Sequence, residues 1–220
     1  MLIAHVERDG VWCVDGGMRA LALAMAELAQ EHGGRFHYDS PVQRIDCVNG
    51  RATGITLASG ETHSADVVVF NGDTAALSDG LLGADVSTSV PVRPRHQRGL
   101  SAITWCINAE TSGFELDHHN VFFAQNYAQE FSTICDNRGI CNEPTVYVCA
   151  QDRINGAPLK AGTERLLLLV NAPADGDHKA WTRNKLDEQR EHALSVVNRG
   201  GANITFSEQS CVVSSPDDWH

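Results

Sequence analysis

The sequence predicts an α/β protein: a first half in which a helix, a hairpin and a buried strand follow one another, then a second half built on a mostly antiparallel sheet. Three observations carry that expectation. Apolar side chains recur at three-and-four spacing from Met18 to Ala29. Asn49-Gly50 separates two runs of strand-forming residues. Beyond Leu100, short strand-like stretches are divided by loops and accompanied by one strong helix.

In chain order, an apolar stretch from Val11 runs into the turn Asp15-Gly16-Gly17, and a helix opens at Met18. Met18, Leu21, Ala22, Met25, Leu28 and Ala29 mark one buried face. Gly33-Gly34 ends the helix, because a residue free to take positive φ lets the last turn close on its own carbonyls. Extended chain follows from Arg35 to Tyr38 and from Pro41 to Val48. Both central residues of a type I′ turn need positive φ, so Asn49-Gly50 joins Val42–Val48 to Ala52–Leu57 as a hairpin. Ser59-Gly60 makes a second turn. Asp66 to Phe70 is then apolar on both faces, as a central parallel strand would be, and it ends in the small polar loop Asn71-Gly72-Asp73.

These residues carry a resemblance. The order Gly16-Gly17-Met18, helix, Val42 and Ile45, hairpin, buried strand, Asn71-Gly72-Asp73 resembles the middle of flavoprotein desaturases of the phytoene desaturase type, within the wider amine oxidase superfamily. The resemblance implies a partial, Rossmann-like FAD-binding domain, with the valine at Val42 against the adenine end of FAD. It also implies cofactor contacts from Gly16, Gly17, Asn71, Gly72 and Asp73. The physical logic agrees, since a loop outside the carboxyl end of a strand in a parallel sheet is where such sheets bind ligands. Asp73 has a second reading, since either it or Thr74 can cap a short helix running through Leu81-Leu82.

The chain of 220 residues, 42% hydrophobic, can bury a sizeable core as one large domain or two small ones. A formal charge of -11 argues against nucleic acid as a partner, since phosphate binding leans on clustered Lys and Arg. No apolar run approaches the roughly 20 residues a bilayer span needs, and no charged start leads into a secretory apolar core. A cytoplasmic protein is expected. Its seven cysteines are scattered and include no C-x-x-C pair, which favours small core residues in a reducing compartment over disulfides or structural zinc.

Both ends read as cut. Met1 to Val6 starts inside an element without a cap, and the chain breaks off just after the extended segment at Cys211. The dinucleotide fingerprint G-x-G-x-x-G should precede this region and is absent from the spacing of the 19 glycines. An internal piece of a longer flavoprotein is therefore expected, with the carboxyl-terminal flavin segment following His220.

Pro91 to Arg98 packs Arg93, Arg95, His96 and Arg98 into a proline-punctuated loop. It is a solvated linker on the plainer reading and a patch facing anionic lipid on the sharper one, which would make the protein peripheral at the inner face of the membrane.

In the second half, Ser101 to Ala109 alternates, with Ile103, Trp105 and Ile107 on one face. Val121-Phe122-Phe123, Thr145–Ala150 and Leu166–Val170 are further strands. A helix over 185–199 presents Leu186, Arg190, Leu194 and Val197. Thr111 to Phe123 with Tyr127 and Glu130-Phe131, Thr145 to Arg153, and Asn171 to Ala174 are similar to desaturases of acyclic hydroxylated or methoxylated carotenoids, the methoxyneurosporene dehydrogenase group. That resemblance implies a mixed or antiparallel substrate domain and a carotenoid partner, with Trp105, His118, His119 and Phe122 as substrate residues. His118-His119 reads either as structural rings or as groups orienting a polar end of the polyene. No metal site is expected, for want of H-x-x-x-H or a nearby Cys-His cluster.

Taking two hydrogens from an unactivated C–C bond needs a hydride acceptor that no side chain provides, so FAD would carry that chemistry. No catalytic dyad is found or needed. The competing classes are an isoprenoid-binding escort protein of the same fold and an amine oxidase relative with a polar substrate. The expected division is 1–9 as the end of a preceding substrate segment, 10–82 as part of the FAD domain, 83–206 as the substrate domain and 207–220 as the return toward the first.

Overall fold

A computed structural model describes residues 8, 10, 12, 14–153 and 162–219. The expected segment 1–9 lies outside these except for Arg8, as do Val11 and Cys13. Packing divides the chain into two compact units, Met1–Pro94 and Arg95–His220.

In the first unit, Gly16 sits at φ 80, and the Gly17 N–H donates to the Val14 carbonyl at 2.8 Å, which closes the turn that starts helix α1, Gly17–Glu31. The helix ends as the paired glycines foretell. Gly33 takes φ 86, its N–H reaches the Gln30 carbonyl, and Gly34 N–H reaches back to Ala29, a Schellman closure. The expected buried face is not buried. Met18 is 71% and Met25 64% exposed, and no residue of α1 is fully covered. The periodicity is real, but nothing among the described residues packs on it.

Strands β1, Val42–Val48, and β2, Arg51–Leu57, form the foreseen hairpin, with Asn49 at φ 52 and Gly50 at φ 76. A third strand, β3, Thr62–Ser64, adds to β2, giving a three-stranded antiparallel sheet in the order β1-β2-β3. The expected parallel strand at Asp66–Phe70 is not formed. Val68 and Phe70 pack against a cluster of Ile45, Leu77 and Val86, while Val67 and Val69 face outward at 74% and 86% exposure. A central strand needs a neighbour on each edge, and this run has none among the described residues.

Asp73 then caps helix α2, Thr74–Ser78, accepting from the Ala75 N–H at 2.9 Å. The helix stops short of Leu81-Leu82 because Gly80, at φ 75, turns the chain. Helix α3, Ala84–Ser87, buries Val86 beside Ile45, and the Ile45 N–H donates to the Leu82 carbonyl at 3.0 Å. The expected dividing line at residue 82 thus lies inside the first unit.

The second unit is a six-stranded sheet in which every pairing is antiparallel. Its strands are β4, Leu100–Gly113; β5, His119–Phe122; β6, Val146–Ala150; β7, Glu164–Pro173; β8, Ala202–Thr205; and β9, Cys211–Ser214. The order is β5-β6-β7-β4-β8, with β9 also on β4, so residues 211–214 belong to this sheet. The alternation in β4 holds. Ile103, Trp105, Ile107 and Ala109 are buried, while Cys106 and Asn108 are exposed. A short helix α4, Tyr127–Phe131, runs into a π-helical turn, Ser132–Asp136. Helix α5, Arg183–Arg199, covers the apolar face of the sheet with Leu186, Ala193, Val196 and Val197. Exposed Cys106 and Cys135 depart from the reading of all cysteines as core residues.

Candidate functional site

The residues expected to meet the cofactor all fall in the first unit. Gly16 and Gly17 form the start of α1, Val42 opens β1 with 39% exposure, and Asn71, Gly72 and Asp73 form an exposed loop leading into α2. Gly17 has φ 77 and open space where a side chain would stand. At Gly72 a Cβ would lie 2.4 Å from the Phe70 ring, so glycine is what lets that ring turn inward onto the Ile45 cluster.

In the second unit the pairing of β5 with β6 sets His119 opposite Cys149 and Val121 opposite Tyr147. His118 is fixed just before β5: its carbonyl accepts from the Ala150 N–H at 2.9 Å, and its ring Nδ1 lies 3.0 Å from the Ala150 carbonyl. A carbonyl only accepts, so Nδ1 carries the proton and Nε2 the lone pair. That lone pair faces the Cys149 Sγ at 3.9 Å. The two imidazoles meet edge to face at 4.4 Å, and His119 Nδ1 is 2.7 Å from the Tyr147 hydroxyl.

Burial grades across this group. Cys149 is buried, His118 half-buried and His119 exposed. Partial burial and then the neighbouring His118 pull the His119 pKa below its usual value. Burial, followed by contact with Cys149, pushes the Tyr147 phenol up to about 12. Trp105 and Phe122 lie elsewhere in the packing, both in the core cluster, with Phe122 edge-on to Phe114 at 5.9 Å.

Two further features hold the turn that carries the histidines. Asn120 Nδ2 donates to the Asp117 and Val148 carbonyls at 2.7 and 3.1 Å, while its oxygen accepts from the Asp117 N–H. Arg153 donates to the Leu116 carbonyl at 2.8 Å and grips both oxygens of Glu164 at 2.7 and 2.8 Å, with Thr111 donating to the same carboxylate. Burial pushes the Glu164 carboxyl up, but the hydrogen bonds from Arg153 and Thr111 outweigh it and hold its pKa below the ordinary carboxylate value.

Sequence reasoning missed Tyr147, Cys149 and Glu164. Alternation along Thr145–Ala150 already puts Tyr147 and Cys149 on one face of a strand. Their juxtaposition with the histidines needs the β5–β6 register, which no local pattern supplies. The idea of Arg93, Arg95 and Arg98 as one lipid-facing patch also changes, since Arg98 is held in a two-pronged pair by Asp177 at 2.8 and 3.0 Å. The Arg95 side chain lies outside the described part.

Comparison with known proteins gives one family model, described as flavin containing amine oxidoreductase, over residues 2–199. A hydroxyneurosporene desaturase of Rubrivivax gelatinosus is 44% identical over 98% of the chain and 41% of that protein. A hydroxyneurosporene desaturase of Cereibacter sphaeroides is 46% identical over 78% of the chain and 34% of that protein. A 1-hydroxycarotenoid 3,4-desaturase of a Flavobacterium species is 30% identical over 86% of the chain and 38% of that protein. The chain thus spans about two fifths of the length of these relatives.

Proposed function

Because the chain belongs to the flavin-containing amine oxidoreductase family, we propose that it serves the FAD-dependent desaturation of an acyclic hydroxylated or methoxylated carotenoid. The observation that carries this reading is the similarity to a hydroxyneurosporene desaturase along nearly the whole chain.

When bound, FAD supplies the hydride acceptor that no side chain can offer. The residues present fit its adenosine half. Open space beside Gly17 leaves the amino end of α1 approachable, and that end carries partial positive charge suited to phosphate oxygens. Val42 offers an exposed apolar side chain, and Asn71, Gly72 and Asp73 an exposed loop.

In the second unit, His118 and His119 serve the polar end of the polyene together: exposed His119 is the ring able to donate to a hydroxyl or ether oxygen, and half-buried His118 supports it edge to face. Trp105 and Phe122 belong to the buried apolar cluster that stiffens the sheet carrying the histidines. The protein's work is alignment of a long apolar substrate and exclusion of water from it. No helix among the described residues is long and apolar enough to cross a membrane. A peripheral contact at the inner membrane face is the reading that gives so apolar a substrate a route in.

The test expresses the reading frame that contains this chain in cells accumulating an acyclic hydroxycarotenoid. Desaturation lengthens the conjugated system, so the extracted pigment absorbs further to the red and the purified protein shows flavin bands. His118→Asn and His119→Asn lower turnover on this reading. Unchanged pigment from protein lacking flavin absorbance overturns it and favours an isoprenoid-binding role.

A further inference from the structure

We propose that His118, His119 and Cys149 form a binding site for a borderline-soft divalent cation of the zinc class. One ligand atom from each lies within 4.8 Å of the others. Bonds of about 2.0–2.3 Å in a tetrahedral zinc site place donor atoms roughly 3.5 Å apart. Contraction by about 1 Å therefore closes the group around an ion.

The arrangement around these residues is that of a supported metal ligand set. The Ala150 carbonyl accepts from His118 Nδ1, which fixes the ring and leaves Nε2 aimed at the Cys149 sulfur. Metal-binding histidines characteristically give their second nitrogen to such an acceptor. His119 and Cys149 are register partners across β5 and β6, so two of the donors sit on paired strands rather than on a loose loop. The Tyr147 hydroxyl holds the His119 ring at 2.7 Å. Buried Cys149 is shielded from oxidants in solution, and exposed His119 gives the ion its way in.

Two imidazoles and a thiolate exclude magnesium and calcium, which demand oxygen ligands. On binding, the thiol loses its proton to solvent, sulfur and two neutral ring nitrogens donate to the cation, and a fourth coordination position stays open. No electron is transferred. The site uses the two histidines that the carotenoid reading assigns to the polar end of the substrate, and its test, containing neither flavin nor polyene, succeeds or fails independently of that reading.

Metal-free chain is titrated with cobalt(II), which reports a thiolate ligand by a near-ultraviolet charge-transfer band, and then with zinc(II) to displace it. One equivalent of cobalt is expected to bind with that band. Cys149→Ser abolishes the band, and His118→Asn and His119→Asn each weaken binding on the order of tenfold or more. Cys135→Ser, an exposed cysteine outside the site, leaves binding unchanged. Should the Cys149 variant fail to fold, zinc must instead slow alkylation of Cys149 in the parent chain, followed by mass spectrometry. A parent without the band, a Cys149→Ser variant that binds as the parent does, or alkylation indifferent to zinc overturns the proposal.

Discussion

Glu164 is 3% exposed at the start of β7, and its two oxygens are taken up by Arg153 and Thr111. Since its folded pKa lies below the ordinary value of 4.5, the carboxylate contributes stability above that pH and loses it as pH falls through the folded value. Glu164→Gln leaves the Arg153 guanidinium, itself only 13% exposed, without its counter-charge. A loss of about 3 kcal/mol at neutral pH is expected. The gap between parent and variant narrows below pH 4.5, because protonation neutralises the parent's carboxyl as well. Urea unfolding at about pH 7 and about pH 3 measures both differences. A gap that is constant with pH sinks the argument. The identity of this pair was hidden in the sequence, where Arg153 and Glu164 are two charged residues 11 positions apart.

At the scale of elements, β4 is organised at its far end by one close approach. Gly113 has φ 84, and a Cβ there would lie 2.2 Å from the Gly201 carbonyl oxygen, beside the pairing of Gly113 with Ala202. Gly113→Ala is expected to cost about 1–2 kcal/mol for the left-handed backbone alone, with the clash added to it. Amide exchange should accelerate in β8 while β5 and β6 keep their protection. Unaltered exchange in β8 would show that the approach does not set the edge. Elements of this kind divide by how local their cause is. The Schellman end of α1 and the hairpin at Asn49-Gly50 were legible because φ requirements belong to single residues. Asp66–Phe70 was misjudged because an apolar run does not say whether a neighbouring strand exists to pair with it.

Over the whole molecule, the apolar stripe of α1, which no described residue covers, and the formal charge of -11 oppose each other. Like charge keeps copies apart at low salt, and screening within about 10 Å at 0.1 M removes that protection. Raising salt should therefore drive self-association of the chain, read by sedimentation velocity. Leu21→Gln with Leu28→Gln, at positions 40% and 55% exposed, should suppress it without lowering the unfolding midpoint. Association of the variant equal to the parent's would place the cause elsewhere. The sequence by itself determined the helix and its ends, the hairpin, the alternation of β4 and the resemblance to carotenoid desaturases, and it offered the cap as one of two readings of Asp73. All of these follow from spacing along the chain or from residues adjacent in it. Only the tertiary structure decided that Cys149 and Tyr147 stand beside the histidine pair, that Glu164 locks Arg153 to the turn before β5, and that none of the described residues covers the apolar face of α1. Strand register and the presence of a packing partner are set by residues tens of positions apart, and local periodicity carries no record of either.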